Sequence, residues 1–346
     1  MTKRGNLRRE KSLFKSGKIL RPQSIPTLKE SDYIVQDIPL DGDAPKQFIR
    51  AYFFERDGTV RKANPKTWSA YIAKTAEKYY PHESIYEYLI NRIGQTLGLE
   101  MNEIKLVWVN KQIRFLSKFF LKDGEELIHG AEICGEHLGD KDLAKEIAND
   151  KKSSRELFTF EFIKESIRNV FPKTFDNLLV GLVKMIIFDA IVGNNDRHFY
   201  NWGVIRTQIK SQKLPTFAPL YDSARGLFWN CTEAQVNGHL EHYSKNGKKV
   251  VNYIEKAYPR ISIADNIQAN HFELIEYLIR LNTDYISLID GFSSTENEIK
   301  VLKMIKQEFS LILTSKRLEL ISLILKTRFE KIRRLTNVTQ DQKLVQ

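Results

Sequence analysis

Two side chains on one short loop carry the most informative chemistry in this chain. The stretch Gly193-Asn-Asn-Asp-Arg-His-Phe-Tyr-Asn201 follows an apolar run, Leu178 to Val192, and sets Asp196 and Asn201 five positions apart. A carboxylate can orient an attacking hydroxyl and take its proton, and a carboxamide oxygen is a hard ligand suited to Mg2+. Held at the end of a rigid buried helix, the pair suits phosphoryl transfer. Taken alone, the loop also fits ordinary turn and cap chemistry, which Gly, Asn and Asp favour.

Flanking segments supply further polar groups in a suggestive order. Trp202 to Ile205 is a short strand-like run, and Phe217-Ala-Pro-Leu-Tyr-Asp222 ends a second one on a carboxylate. Asp222 is either a second metal ligand or a solvated turn residue before Ser223. Upstream, Ala70-Tyr-Ile-Ala-Lys74 reads as a strand whose lysine could grip nucleotide phosphates, although Lys66 and Lys78 nearby show that a solvated lysine is the ordinary case. The helix expected over 84–97 offers Glu87 as the partner of Lys74. Ser84-Ile-Tyr-Glu87 also spells a capping box, in which Glu87 would serve a backbone N–H.

These elements resemble, in this order, the HipA-like serine/threonine kinase family of bacterial toxin kinases and related secreted kinases. The resemblance runs from about Tyr52 through the loop after Asp222. It is carried by Asn64-Pro-Lys66, Tyr71-Ile-Ala-Lys74, Ser84-Ile-Tyr-Glu87-Tyr88, the Asn-Asn-Asp-Arg-His-x-x-Asn stretch at 194–201, and Tyr221-Asp222. It implies a two-lobed, kinase-like α+β fold and an ATP- and Mg2+-dependent transfer of the γ-phosphoryl group to a protein hydroxyl, with self-phosphorylation in some members. Asp196 would be the catalytic base, Asn201 and Asp222 the metal ligands, and Lys74 the phosphate-binding lysine supported by Glu87 and Lys66. Adenine would lie against a strand over 113–121, near Lys118, Phe119, Phe120 and Leu121. His198 fills the family's histidine position as a loop-packing residue. The resemblance also implies a protein substrate, an antitoxin or regulatory partner and a bacterial cytoplasmic location, with delivery into a host cell as an alternative.

The phosphate cover departs from both common patterns. The chain has no G-x-G-x-x-G and no G-x-x-x-x-G-K-[ST]. The candidate cover, Asp57 to Lys66, has one glycine but carries Arg61, Lys62 and Lys66, so side-chain cations would replace backbone amides; Thr59 or Thr67 could be the self-modified residue there.

The elements that must position these groups divide the chain. Residues 1–30 form a basic arm, read as solvated or as an anion-binding tail; 31–122 form a sheet-rich lobe with one helix; 123–346 are mostly helical. Expected elements are strands over 47–54, 68–74, 105–109 and 113–121, and helices over 156–170, 176–191, 270–281 and 296–335, the last broken near Thr314-Ser315. His239 and His242 sit in an expected loop, either solvated or one side of a metal site. The chain's 346 residues are 42% hydrophobic and 28% charged, enough apolar content to build a core rather than a disordered chain. Its 54 basic against 43 acidic residues give +11, which favours anionic partners, and nucleic acid could engage the basic arm. Cys134 and Cys231 are too few for a disulfide framework. The apolar run carries Lys184 and Asp189 and is too short to span a bilayer, and no secretory signal is visible. Two other classes share these features: a non-catalytic kinase-shaped binding protein, and a lipid or small-molecule kinase.

Overall fold

The computed structural model describes residues 7–38, 46–207 and 213–344; Lys3 and Arg4 of the basic arm lie outside them. The sheet-rich part contains β1 (Phe14–Lys15), β2 (Tyr33–Gln36), β3 (Lys46–Ala51), β4 (Ser69–Lys74), β5 (Tyr79–Tyr80), α1 (His82–Thr96), β6 (Ile104–Val109) and β7 (Gln112–Lys118). Its five-stranded antiparallel sheet has the order β2-β3-β4-β7-β6. Asn110 and Lys111, both with positive φ, close the β6–β7 hairpin in two residues, a backbone hand that matches strand twist.

Strand parity places the lysine. Tyr71 and Ala73 pack with Ile49, Val107 and Leu116 on the outer face of the sheet. Lys74 has the opposite parity and emerges on the face covered by α1, where Ile85, Leu89 and Ile93 join the main core. Helix α1 begins at His82, two residues earlier than expected, and its N-cap Pro81 makes no side-chain cap. Ser84 and Glu87 therefore lie inside the helix and both are buried. The capping-box alternative for Glu87 does not hold. The strand expected to reach Leu121 ends at Lys118.

The helical part runs β8 (Glu125–His129), α2 (Gly130–Leu138), α3 (Lys141–Asn149), α4 (Lys151–Leu157), α5 (Phe160–Val170), α6 (Phe175–Val192), β9 (Gly203–Thr207), β10 (Thr216–Phe217), α7 (Glu233–Lys245), α8 (Lys248–Glu255), α9 (His271–Leu281), α10 (Asp284–Ser293), α11 (Thr295–Phe309) and α12 (Ser315–Leu344). The buried helix α6 is the centre of this body, with α5, α9, α10 and α12 against it. The helix expected over 156–170 is split: Thr159 caps α5 by accepting from the Phe162 N–H. The loop expected around His239 and His242 is helix α7, and the His239 ring packs on Phe228 with centroids 4.3 Å apart. A short β10-β9-β8 sheet packs on the helical part, against α2 and α6.

The basic arm is not free in solution over its described length. Leu7 is fully buried in the outer-face cluster. Its N–H donates to the Tyr33 hydroxyl at 3.3 Å, and the Gln112 side chain bonds both backbone groups of Glu10. β1 then pairs with β5. The Ser16 hydroxyl meets His82 Nδ1 at 2.8 Å, and the Leu20 and Arg21 amides donate to the carbonyls of Ile312 and Leu311. The segment is a strap from the sheet to the loop between α11 and α12; apolar Leu7 and edge-strand pairing outweigh its positive charge. Among the described residues no helix is long and apolar enough to cross a membrane.

Candidate active site

Helix α6 ends at Val192, and Gly193 takes the left-handed conformation, φ 66°, that turns the chain into the loop. Asp189, in the last turn of α6, is buried and forms a two-pronged pair with Arg197: Nε to Oδ2 at 2.9 Å and Nη2 to Oδ1 at 2.7 Å. The same guanidinium donates to the Tyr221 carbonyl and the Ser223 hydroxyl, both at 2.8 Å. Burial opposes the Arg197 charge, and Asp189 overcomes it, so the guanidinium stays firmly protonated. One buried arginine thus fastens the 193–201 loop to α6 and to the segment carrying Asp222.

Within the loop the backbone is closely determined. The Asp196 N–H donates to Asn194 Oδ1 at 3.2 Å, and the Asn201 N–H to the His198 carbonyl at 2.7 Å. The Asn201 amide nitrogen donates to the Asp196 carbonyl at 3.3 Å, which presents its oxygen as the atom able to hold a cation. His198 accepts from the Tyr200 N–H at 3.3 Å and stacks on the Tyr200 ring, a loop-packing role. The Asp196 carboxylate is held on both oxygens, by Arg225 Nη1 at 2.7 Å and Arg260 Nη2 at 2.7 Å.

Lys74 meets the helical body from the sheet. Its ammonium lies 3.2 Å from Glu87 Oε1 and 3.0 Å from Asp222 Oδ1. One cation between two carboxylates leaves a surplus negative charge, and the more buried carboxyl yields. Burial pushes Glu87 up to about 7 despite the neighbouring ammonium, and the Asp222 charge adds to the rise. Desolvation opposes ionisation of Asp222, but Lys74 prevails and holds its carboxyl below the usual range. Burial would depress the Lys74 ammonium; Asp222 and then Glu87 instead hold it above its ordinary value. Asp222 itself has φ 51°, a left-handed backbone uncommon for a residue other than glycine. A narrow cleft opens here between α1, β7 and the Asp222 loop, lined by Glu87, Asn91, Phe115, Ser117 and Asp222.

Other expected residues stand apart from this cluster. Lys66 lies on an exposed turn over 65–67, capped by Asn64, and no contact among the described residues joins it to Lys74. Much of the cover loop's backbone is engaged internally: the Thr59 N–H by Asp57, the Arg61 N–H by the Thr67 hydroxyl and the Lys66 N–H by Asn64. Near the joint, the Lys118 and Phe119 amides already donate to the carbonyls of Glu103 and Ala70. Lys118 Nζ pairs with Glu103 at 2.5 Å, and Phe120 packs on Tyr221 with ring centroids 5.8 Å apart. The backbone N–H groups of Lys118 and Phe119 are thus already engaged within the protein.

Sequence reasoning missed Asp189, Arg197, Arg225 and Arg260. Arg197 was visible inside the 194–201 stretch, where an arginine next to a carboxylate on a buried loop is a signal. Arg260 is 64 positions from Asp196 and gave none.

The chain's sequence matches the family model described as HipA-like C-terminal domain over residues 39–275. No curated protein matches it by sequence. Among solved structures, the fold is similar to that of the Helicobacter pylori proinflammatory kinase CtkA. That likeness has a TM-score of 0.68 at 16% identity and covers 92% of this chain and 99% of that one. The Shewanella oneidensis HipA of a toxin–antitoxin complex with HipB and operator DNA is more distant: TM-score 0.45, 14% identity, 78% of this chain and 59% of that one.

Proposed function

The chain belongs to the family of HipA-like C-terminal domains and is a kinase-like protein; on that premise we propose that it is an active ATP- and Mg2+-dependent protein serine/threonine kinase. The observation that carries the reading is the ammonium of Lys74 held between Glu87 on α1 and Asp222 on the helical body. A lysine so placed can bind nucleotide phosphates with its position fixed from both sides of the cleft. In this reading Glu87 orients Lys74, the lobe over 31–122 receives the nucleotide, and 123–346 carries the transfer machinery.

The donor set suits a small hard cation. Asp222 and Asn201 offer a carboxylate and a carboxamide oxygen, and among the described residues there is no cluster of three or more His, Cys, Asp or Glu. Mg2+ commonly takes one or two protein oxygens and completes its shell with phosphate and water. When bound there, it supplies neutralisation of phosphate charge. The remaining work falls to the chain: Asp196 positions the acceptor hydroxyl and receives its proton, and Arg197 keeps the Asp196 and Asp222 segments in register. The acceptor is a protein hydroxyl, and a regulatory protein of the antitoxin kind is the partner class to seek.

Incubating the full chain with Mg2+ and labelled ATP, then locating phosphate by mass spectrometry, tests the reading. Transfer to the chain itself or to an added protein is expected, and is expected to vanish in Asp196→Ala with the circular dichroism unchanged. Undiminished transfer in that variant would overturn the assignment of Asp196.

A further inference from the structure

The Asp196 carboxylate carries more cation than it can neutralise. Arg225 Nη1 holds one oxygen at 2.7 Å; Arg260 holds the other through Nη2 at 2.7 Å and Nε at 3.1 Å. Two cations from two separate segments hold one carboxylate, one more positive charge than it can neutralise.

A merely structural pair would not look like this. The Asp189–Arg197 pair is one-to-one and shut from solvent, with side chains 5% and 1% exposed. The Asp196 side chain is 18% exposed and that of Arg225 is 37%, so this cluster opens outward. Arg260 Nη1 has no hydrogen-bond partner among the described residues, so the cluster retains an unused donor. Arg225 lies over the Trp229 ring at 5.5 Å, which supports its plane from behind.

We propose that Arg225 and Arg260 read an anionic group beside the acceptor hydroxyl, so that the preferred substrate is a protein segment whose serine or threonine is flanked by carboxylate or phosphate. A guanidinium drawn toward that group leaves an Asp196 oxygen to the incoming hydroxyl, and binding the correct substrate thereby completes the site. This inference rests on the kinase reading above and names its substrate class.

The test uses the full chain and serine peptides of one length that are neutral, glutamate-flanked, phosphoserine-flanked or lysine-flanked. Binding is followed by fluorescence anisotropy without nucleotide, and transfer with ATP and Mg2+. Both anionic peptides are expected to bind about tenfold tighter than the neutral one. That advantage should shrink between about 0.05 and about 0.5 M salt, because the cluster is solvent-facing. The glutamate and phosphoserine arms tell which anion is preferred. In Arg225→Gln the anionic-to-neutral ratio, taken within that variant, should fall toward one through the peptide KM. Equal binding of anionic and neutral peptides by the unmodified chain overturns the proposal. So does a rise in the KM for ATP with the peptide ratio unchanged, which would assign the arginines to the nucleotide, and so does tighter binding of an oligonucleotide than of any anionic peptide. Selective anionic binding without transfer to any peptide would instead leave this cluster standing and remove the kinase reading.

Discussion

At the residue scale, the Lys74 cluster makes the sharpest predictions. Glu87 has its pKa raised by burial from an ordinary 4.5 to about 7. Between those values the folded protein holds a proton that the unfolded chain has released. This contribution to stability is complete below 4.5 and is lost as pH rises through about 7. The same titration ionises the partner of Lys74, so transfer should rise with pH across about 7 while thermal stability declines. Glu87→Gln should remove the step from both profiles, and an unchanged pH profile in that variant would refute the pairing. Lys74→Met removes a charge-assisted contact of about 1.5–3 kcal/mol, so nucleotide affinity should fall roughly ten- to a hundredfold by calorimetry. Lys74 and Asp196 could be singled out as candidates from the sequence because each stands in a short local pattern. The two arginines on Asp196 were not, since spacing in sequence says nothing about which distant loops meet.

At the scale of elements, the position of each helix end decides what its side chains do. Ser84 and Glu87 looked like a cap, yet α1 starts at His82 and carries Glu87 inward to Lys74. Helix α7 escaped notice because its face buries little beyond Val236, leaving no apolar period to read. The break between α11 and α12 falls where Thr314-Ser315 signalled it. Arg197 ties α6 to two loops through a buried pair, and breaking such a pair costs about 3–5 kcal/mol. Arg197→Gln should therefore lower the stability measured by denaturant unfolding by roughly that amount. A loss under about 1 kcal/mol would mean that the network does not hold the loop. The strap offers a paired control. Leu7→Ala should cost about 2–5 kcal/mol as a buried position, and Leu13→Ala almost nothing, since Leu13 is 68% exposed. Equal effects would show that the strap is not packed.

At the scale of the molecule, the site exists only where the sheet and the helical body face each other. Lys74 and Glu87 come from one part and Asp222 from the other, so a nucleotide bound there should stabilise both. ATP with Mg2+ should raise the melting temperature by mass action, about 2.7 kcal/mol at a hundred times Kd. Chelation of the metal should cancel most of that rise, and Lys74→Met, binding ten- to a hundredfold more weakly, should cut the stabilisation at the same ATP concentration to about 0.4–1.4 kcal/mol. The sequence by itself determined the mixed fold, the central apolar helix and the loop that follows it, because these depend on local periodicity and on turn chemistry within a few residues. Tertiary structure alone decided that Glu87 pairs with Lys74, that the basic amino-terminal segment becomes a strap, and that Arg225 and Arg260 close on Asp196. Those outcomes depend on which surfaces come together when apolar faces are buried, and charge partners separated by dozens of residues leave no periodic trace in the chain.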